Sequence, residues 1–169
     1  MNACLCDLGS VKIVRGFSSH EDFCEESEEI SFFKIFDRFK QDFLCGGMTL
    51  SEDVLESQVH FGSLIETTED EVIIGESFPQ TSLYELFALL KQQPSGNSGP
   101  LLNNGLVNLF YMKNFSGHQR AVIVYWFEGG WMIDSFIIGF EKRRKGTRVF
   151  WSNPRNQTQL IMGSLYATS

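Results

Sequence analysis

The chain has 169 residues, of which 43% are apolar and 21% charged, and a formal net charge of −7. Those proportions suit a globular chain of about one domain and exclude collagen-like, disordered and disulfide-stapled mini-protein classes. No apolar run approaches the ~18–20 residues that cross a bilayer as a helix, and no basic, hydrophobic leader opens the chain, so a cytoplasmic protein with no membrane contact is expected.

Residues 11–16 read as a short β-branched strand and 18–24 as a polar loop. Phe32, Phe36, Phe39 and Phe43 then recur at helical spacing, on one face of a turn of 3.6 residues. Ser27 is placed to cap such a helix, Glu28 and Glu29 suit its first turn, and Gly46 and Gly47 suit its end, so a helix is predicted over 28–44. Residues 49–57 fit either a short helix from Ser51 or a strand on which Leu55, Ser57, Val59 and Phe61 alternate. Leu64 with Ile65, and Val72 through Ile74, flank an acidic turn at 68–70 and read as a hairpin.

Beyond Pro79, Ser82 and Glu85 make a capping box ahead of Leu83, Leu86, Phe87 and Leu90, which predicts a second helix over 82–93. Residues 94–105 are rich in Pro, Ser, Gly and Asn and mark the one point of possible subdivision in an otherwise single domain, 1–169. After them, 106–112, 120–127, 131–138 and 147–151 are β-rich runs joined by turns so short that neighbours must be antiparallel. The expected class is α+β: two amphipathic helices packed on an antiparallel β-meander in the C-terminal half, with short N-terminal strands. Phe32, Phe36, Phe39, Leu86, Leu90, Val122, Val124 and Ile133 are its expected core.

Charge divides along the chain: residues 1–80 hold 17 acids and 5 bases, residues 81–169 hold 4 acids and 9 bases. Such halves either neutralise each other across a fold or face separate partners. Lys142, Arg143, Arg144 and Lys145 fall in a predicted turn, with Arg148 and Trp151 just beyond. Basic groups beside aromatics can hold phosphates and stack bases, which makes these six the candidate binding residues; the plainer reading is a solvated hairpin end. Overall acidity argues against a general DNA-coating protein.

Cys4, Cys6, Cys24 and Cys45 are expected as reduced thiols. With His20 they have zinc-ligand types but not the paired spacing of a zinc site, and no glycine motif cradles a phosphate, so neither metal nor cofactor is expected. Cys24 before the first predicted helix, His118 before one strand and Asp134 in the next, near Trp131, resemble the papain-like layout of cysteine hydrolases. The resemblance implies Cys24 as nucleophile, His118 as base and Asp134 as its orienting group. Asp22, Glu25 and Glu26, however, surround Cys24 with negative charge, which opposes a thiolate. The leading expectation is therefore a non-enzymatic protein-interaction module of inhibitor, adaptor or immunity type. Another protein is the expected partner, with 16 phenylalanines available to core and surface. The cysteine hydrolase and a small RNA-binding protein are the alternatives.

Overall fold

The computed structural model describes residues 4–13, 23, 25–45, 57–75 and 80–152. Where turns are short, the chain does what short turns require. The strands β4 (Asn108–Lys113), β5 (Gln119–Phe127) and β6 (Gly130–Ile137) follow one another as antiparallel neighbours. Among the described residues four further strands join the same sheet: β1 (Leu5–Ile13), β2 (Phe32–Ile35), β3 (Ser57–Leu64) and β7 (Arg148–Ser152). The order across this seven-stranded sheet is β1-β3-β7-β4-β5-β6-β2. Two pairings, β4 with β7 and β2 with β6, are parallel.

The expected pair of amphipathic helices on an antiparallel meander is thus overturned: the sheet is mixed, and its helices are short. These are α1 (Asp37–Phe39), continued by a π-helical turn over Lys40–Leu44, then α2 (Asp70–Ile74) and α3 (Leu83–Gln92). The largest departure is in residues 28–44. Ser27 does accept backbone N–H groups, from Glu29 at 3.2 Å and Ile30 at 3.3 Å, but it closes a turn rather than a helix. The chain then extends as β2, with Ile35 buried and Phe33 and Lys34 outward, because β6 offers an unpaired edge at Trp131 to Ile133. Gly130 makes that approach possible: a Cβ there would collide with the backbone of Phe32 and Phe33. Only Phe39 and Phe43 keep the helical relation, with ring centroids 5.1 Å apart.

The expected hairpin around 68–70 is also replaced. Leu64 ends β3, and Asp70–Ile74 forms α2 instead of a return strand. The last strand leaves the meander as well. After β6, residues 138–147 cross back over the sheet and bring β7 to the far side of β4, parallel to it. A buried ion pair holds this crossover. Arg143 Nε lies 2.7 Å from Asp70 Oδ1 and Nη2 lies 3.0 Å from Oδ2, so the connection is tied to α2.

α3 forms as its sequence dictates. Ser82 Oγ accepts the Glu85 amide at 3.2 Å, and Glu85 Oε2 accepts the Ser82 amide at 2.8 Å. At its other end the Trp131 indole donates to Gln93 O at 2.8 Å, pinning the helix to β6. Two hydrophobic clusters flank the sheet. One joins α3, the π-helical turn and the inner side chains Phe110, Val122, Ile133 and Phe150; the other joins Ile73 of α2 to Leu109, Tyr111, Ala121 and Val149. Coverage of both faces explains why β4 is apolar almost throughout. Of the expected core, Phe39, Leu86, Leu90, Val122, Val124 and Ile133 lie fully buried in the first cluster. Phe32 is half-buried against that cluster, and Phe36, also half-buried, stands outside it. Among the described residues no helix is long and apolar enough to cross a membrane.

Candidate binding pocket

β2 stops at Ile35, but its neighbour β6 runs on to Ile137. Where they part, the Phe36 amide donates to Ile133 O at 3.0 Å and the chain turns into α1. This lifts the backbone away from the sheet and leaves a pocket of about 350 Å³. The helical turns contribute Arg38, Gln41 and Asp42; β5 contributes Arg120; β6 and its following turn contribute Ser135, Phe136, Ile137 and Phe140.

Two arginine–aspartate pairs frame the pocket. Arg120 Nε reaches both Asp42 oxygens, at 3.1 and 3.0 Å. Asp42 also accepts from Ser135 Oγ at 2.6 Å and from Asn114 Nδ2 at 2.8 Å. Arg38 makes a fork to Asp134, with Nε 3.0 Å from Oδ1 and Nη2 on Oδ2. The Arg38 guanidinium lies over the Phe136 ring, 4.2 Å from its centroid, and Phe136 stacks with Phe140 at 5.3 Å. Fork pairing and ring contact together fix the guanidinium plane, which a lysine ammonium could not provide.

Burial works to raise the Asp42 pKa, but the hydrogen bonds from Ser135, Asn114 and Arg120 outweigh it and hold the carboxyl below its ordinary value. A folded-state pKa below the unfolded value adds stability that is full above the unfolded pKa and disappears as pH falls through the folded one. Asp42→Asn is therefore expected to flatten the loss of stability below about pH 4, near the unfolded aspartate value. Urea midpoints measured between pH 2 and 6 check this, and a wild-type-like acid limb in the variant would refute it. The same depression makes Asp42 a poor base toward the Ser135 hydroxyl. Among the described residues the pocket lining contains no imidazole and no thiol.

The residues singled out from the sequence are scattered. Cys24 and His20 lie outside the described residues. His118 is exposed in the turn before β5, its amide donating to Asn114 Oδ1 at 2.9 Å. Asp134 sits opposite Ile123 on β5, five residues further along that strand, or roughly 16 Å at strand rise. Both Asp134 oxygens already serve Arg38, so the structure does not bring His118 and Asp134 together. Cys4 is buried, Cys6 exposed on β1, and Cys45 exposed after the π-helical turn; all three are free thiols. Among the described residues no group of three or more His, Cys, Asp or Glu side chains is placed to hold a metal ion.

Nor do the six basic and aromatic candidates make one patch. Lys142 is exposed, 3.5 Å from Glu69, and Arg144 and Lys145 are exposed near it. Arg143 points inward: its guanidinium is buried against Asp70, so it is unavailable as a surface cation. Strand alternation sends Arg148 and Trp151 to opposite faces of the sheet. Arg148 donates to Pro100 O at 2.6 Å and lies 5.4 Å from the Phe61 centroid, whereas Trp151 stacks on His60 at 5.9 Å. Sequence reading missed Arg38, Asp42, Arg120, Phe136 and Phe140. Arg38 and Asp42 share i, i+4 spacing, but nothing local links them to Arg120, 78 residues beyond Asp42.

Comparison of the chain with protein-family models, with curated proteins and with solved structures gives no match.

Proposed function

We propose that this is a non-catalytic protein-interaction module that engages another protein through the pocket between α1 and the end of β6. The observation that carries the reading is the pairing of a polar, hydrogen-bonded floor with an exposed apolar rim. Ile137 is 58% and Phe140 54% exposed at the mouth of the pocket. Phe115, also exposed, follows close by, its amide donating to Asp42 O at 3.4 Å. Apolar side chains grouped around anchored polar groups have the make-up of a protein-binding surface, with a desolvated centre and a polar margin. The charge halves of the chain contribute little to it, since acids of the first half pair with bases of the second, two of the pairs exposed and two at least partly buried. Glu29 pairs with Lys91 at 2.8 Å, Asp42 with Arg120 at 3.0 Å, Glu69 with Lys142 at 3.5 Å and Asp70 with Arg143 at 2.7 Å. A cytoplasmic location accords with Cys4, Cys6 and Cys45 as free thiols.

A photo-crosslinking residue in place of Phe140, in cells that make the protein, is expected to give a discrete adduct. The same residue at Leu8, exposed on the opposite sheet edge, is expected to give none, and Ile137→Asp is expected to remove the Phe140 adduct. Identical adducts at both positions, or none at Phe140, would overturn the reading.

A further inference from the structure

Resting on that reading, we infer that the pocket receives an aromatic side chain with a polar tip, a tyrosine or tryptophan presented by the partner protein. Three observations converge on this occupant. The first is the layered wall. The Arg38 guanidinium carbon lies over the Phe136 ring, 4.2 Å from its centroid, and Phe136 stacks with Phe140 at 5.3 Å. The Arg38 side chain is still 56% exposed. A guanidinium over one ring and more than half exposed can offer its remaining surface to a second ring, where cation–π attraction and dispersion act together.

The second observation is charge. Arg38 and Arg120 are balanced by Asp134 and Asp42. An incoming anion would meet those two carboxylates and Glu141, whose charge also acts on Arg38. An incoming cation would meet the two guanidiniums. A neutral group meets neither repulsion.

The third is size and polarity. About 350 Å³ is near the lower limit of ligand pockets, room for one side chain rather than a length of backbone. Within it, Gln41 and the second edge of the Arg120 guanidinium can hydrogen-bond a hydroxyl or indole tip. Arg120 Nη2 has no hydrogen-bond partner among the described residues. Tyrosine and tryptophan combine a large apolar body with such a tip and few rotatable bonds, which is why they anchor interfaces.

The test is a titration of the isotope-labelled protein with N-acetyl-tyrosinamide, N-acetyl-tryptophanamide and N-acetyl-leucinamide, followed by NMR at the amides of 135–140 and the Ile137 methyl groups. The aromatic amides are expected to shift these signals saturably, and the leucine amide at least about fivefold more weakly. Arg38→Lys, which keeps the charge and loses the flat face, is expected to weaken the aromatic probes about fivefold. Phe140→Ala offers a second variant that leaves both ion pairs in place and is expected to weaken them in the same sense. Equal response to the leucine amide, or aromatic binding unchanged in Arg38→Lys and Phe140→Ala, would overturn the proposal. Absence of probe binding alongside a persistent Phe140 crosslink would remove the aromatic occupant and leave the interaction surface standing.

Discussion

Replacing Arg143 by alanine is expected to lower the stability of the protein by about 3–5 kcal/mol, the usual penalty for stranding one member of a buried ion pair. Asp70 is fully buried, and among the described residues it accepts, besides Arg143, from two neutral donors, the Tyr111 hydroxyl at 2.7 Å and the Gly139 amide at 2.9 Å. Burial first, and then the Asp70 charge, push the Tyr111 phenol above its usual range, so it remains a hydrogen-bond donor beside the carboxylate. Without the guanidinium those two donors face an uncompensated buried charge. The loss extends beyond one contact, because this pair fastens α2 to the crossover that delivers β7. Joint replacement, Asp70→Leu with Arg143→Met, is expected to recover most of the loss, since neither charge then stays buried. Urea denaturation of the wild type, the two single variants and the double variant measures the coupling. Additive single effects would show that the pair does not act as a unit.

Phe39→Ala is expected to cost a similar amount, about 3–5 kcal/mol, through lost transfer free energy and the cavity left behind. Phe39 is fully buried, 5.4 Å from the Phe23 ring and 5.1 Å from Phe43. Phe36→Ala should cost much less, about 1 kcal/mol, because Phe36 is half-buried and outside the core cluster. Denaturation midpoints of the two variants separate the outcomes. Equal losses would mean that Phe36 and Phe39 share one apolar face after all, as helical spacing alone suggests. Phe39 also follows Arg38 directly, so its loss is expected to loosen the pocket wall as well as the core.

That contrast shows what was legible in the residues. Local rules were sufficient wherever the deciding interaction is itself local. Ser82 and Glu85 close a capping box three residues apart, and α3 starts there. Turns at 114–118 and 128–129 are too short for anything but antiparallel return, and β4, β5 and β6 obey. The apolar runs in those strands fit a sheet with a hydrophobic cluster on each side. Residues 28–44 carry a helical periodicity through four phenylalanines, yet Phe32–Ile35 is extended as β2, with a register shift between Phe32 and Lys34. Only the free edge of β6 and the bare Cα of Gly130, about a hundred residues away, decide for the extended form.

The crossover to β7 and the pocket belong to the same class. Asp70 and Arg143 are 73 residues apart, Arg38 and Asp134 96 apart, and Asp42 and Ser135 93 apart. Capping, turn-forced pairing and the apolar character of the central strands follow from neighbouring residues, because hydrogen bonds and side-chain spacing within a few residues suffice for these. Tertiary structure alone decided strand order, the extended form of β2 and the pocket, because each depends on which distant polar groups find partners once the sheet has excluded water.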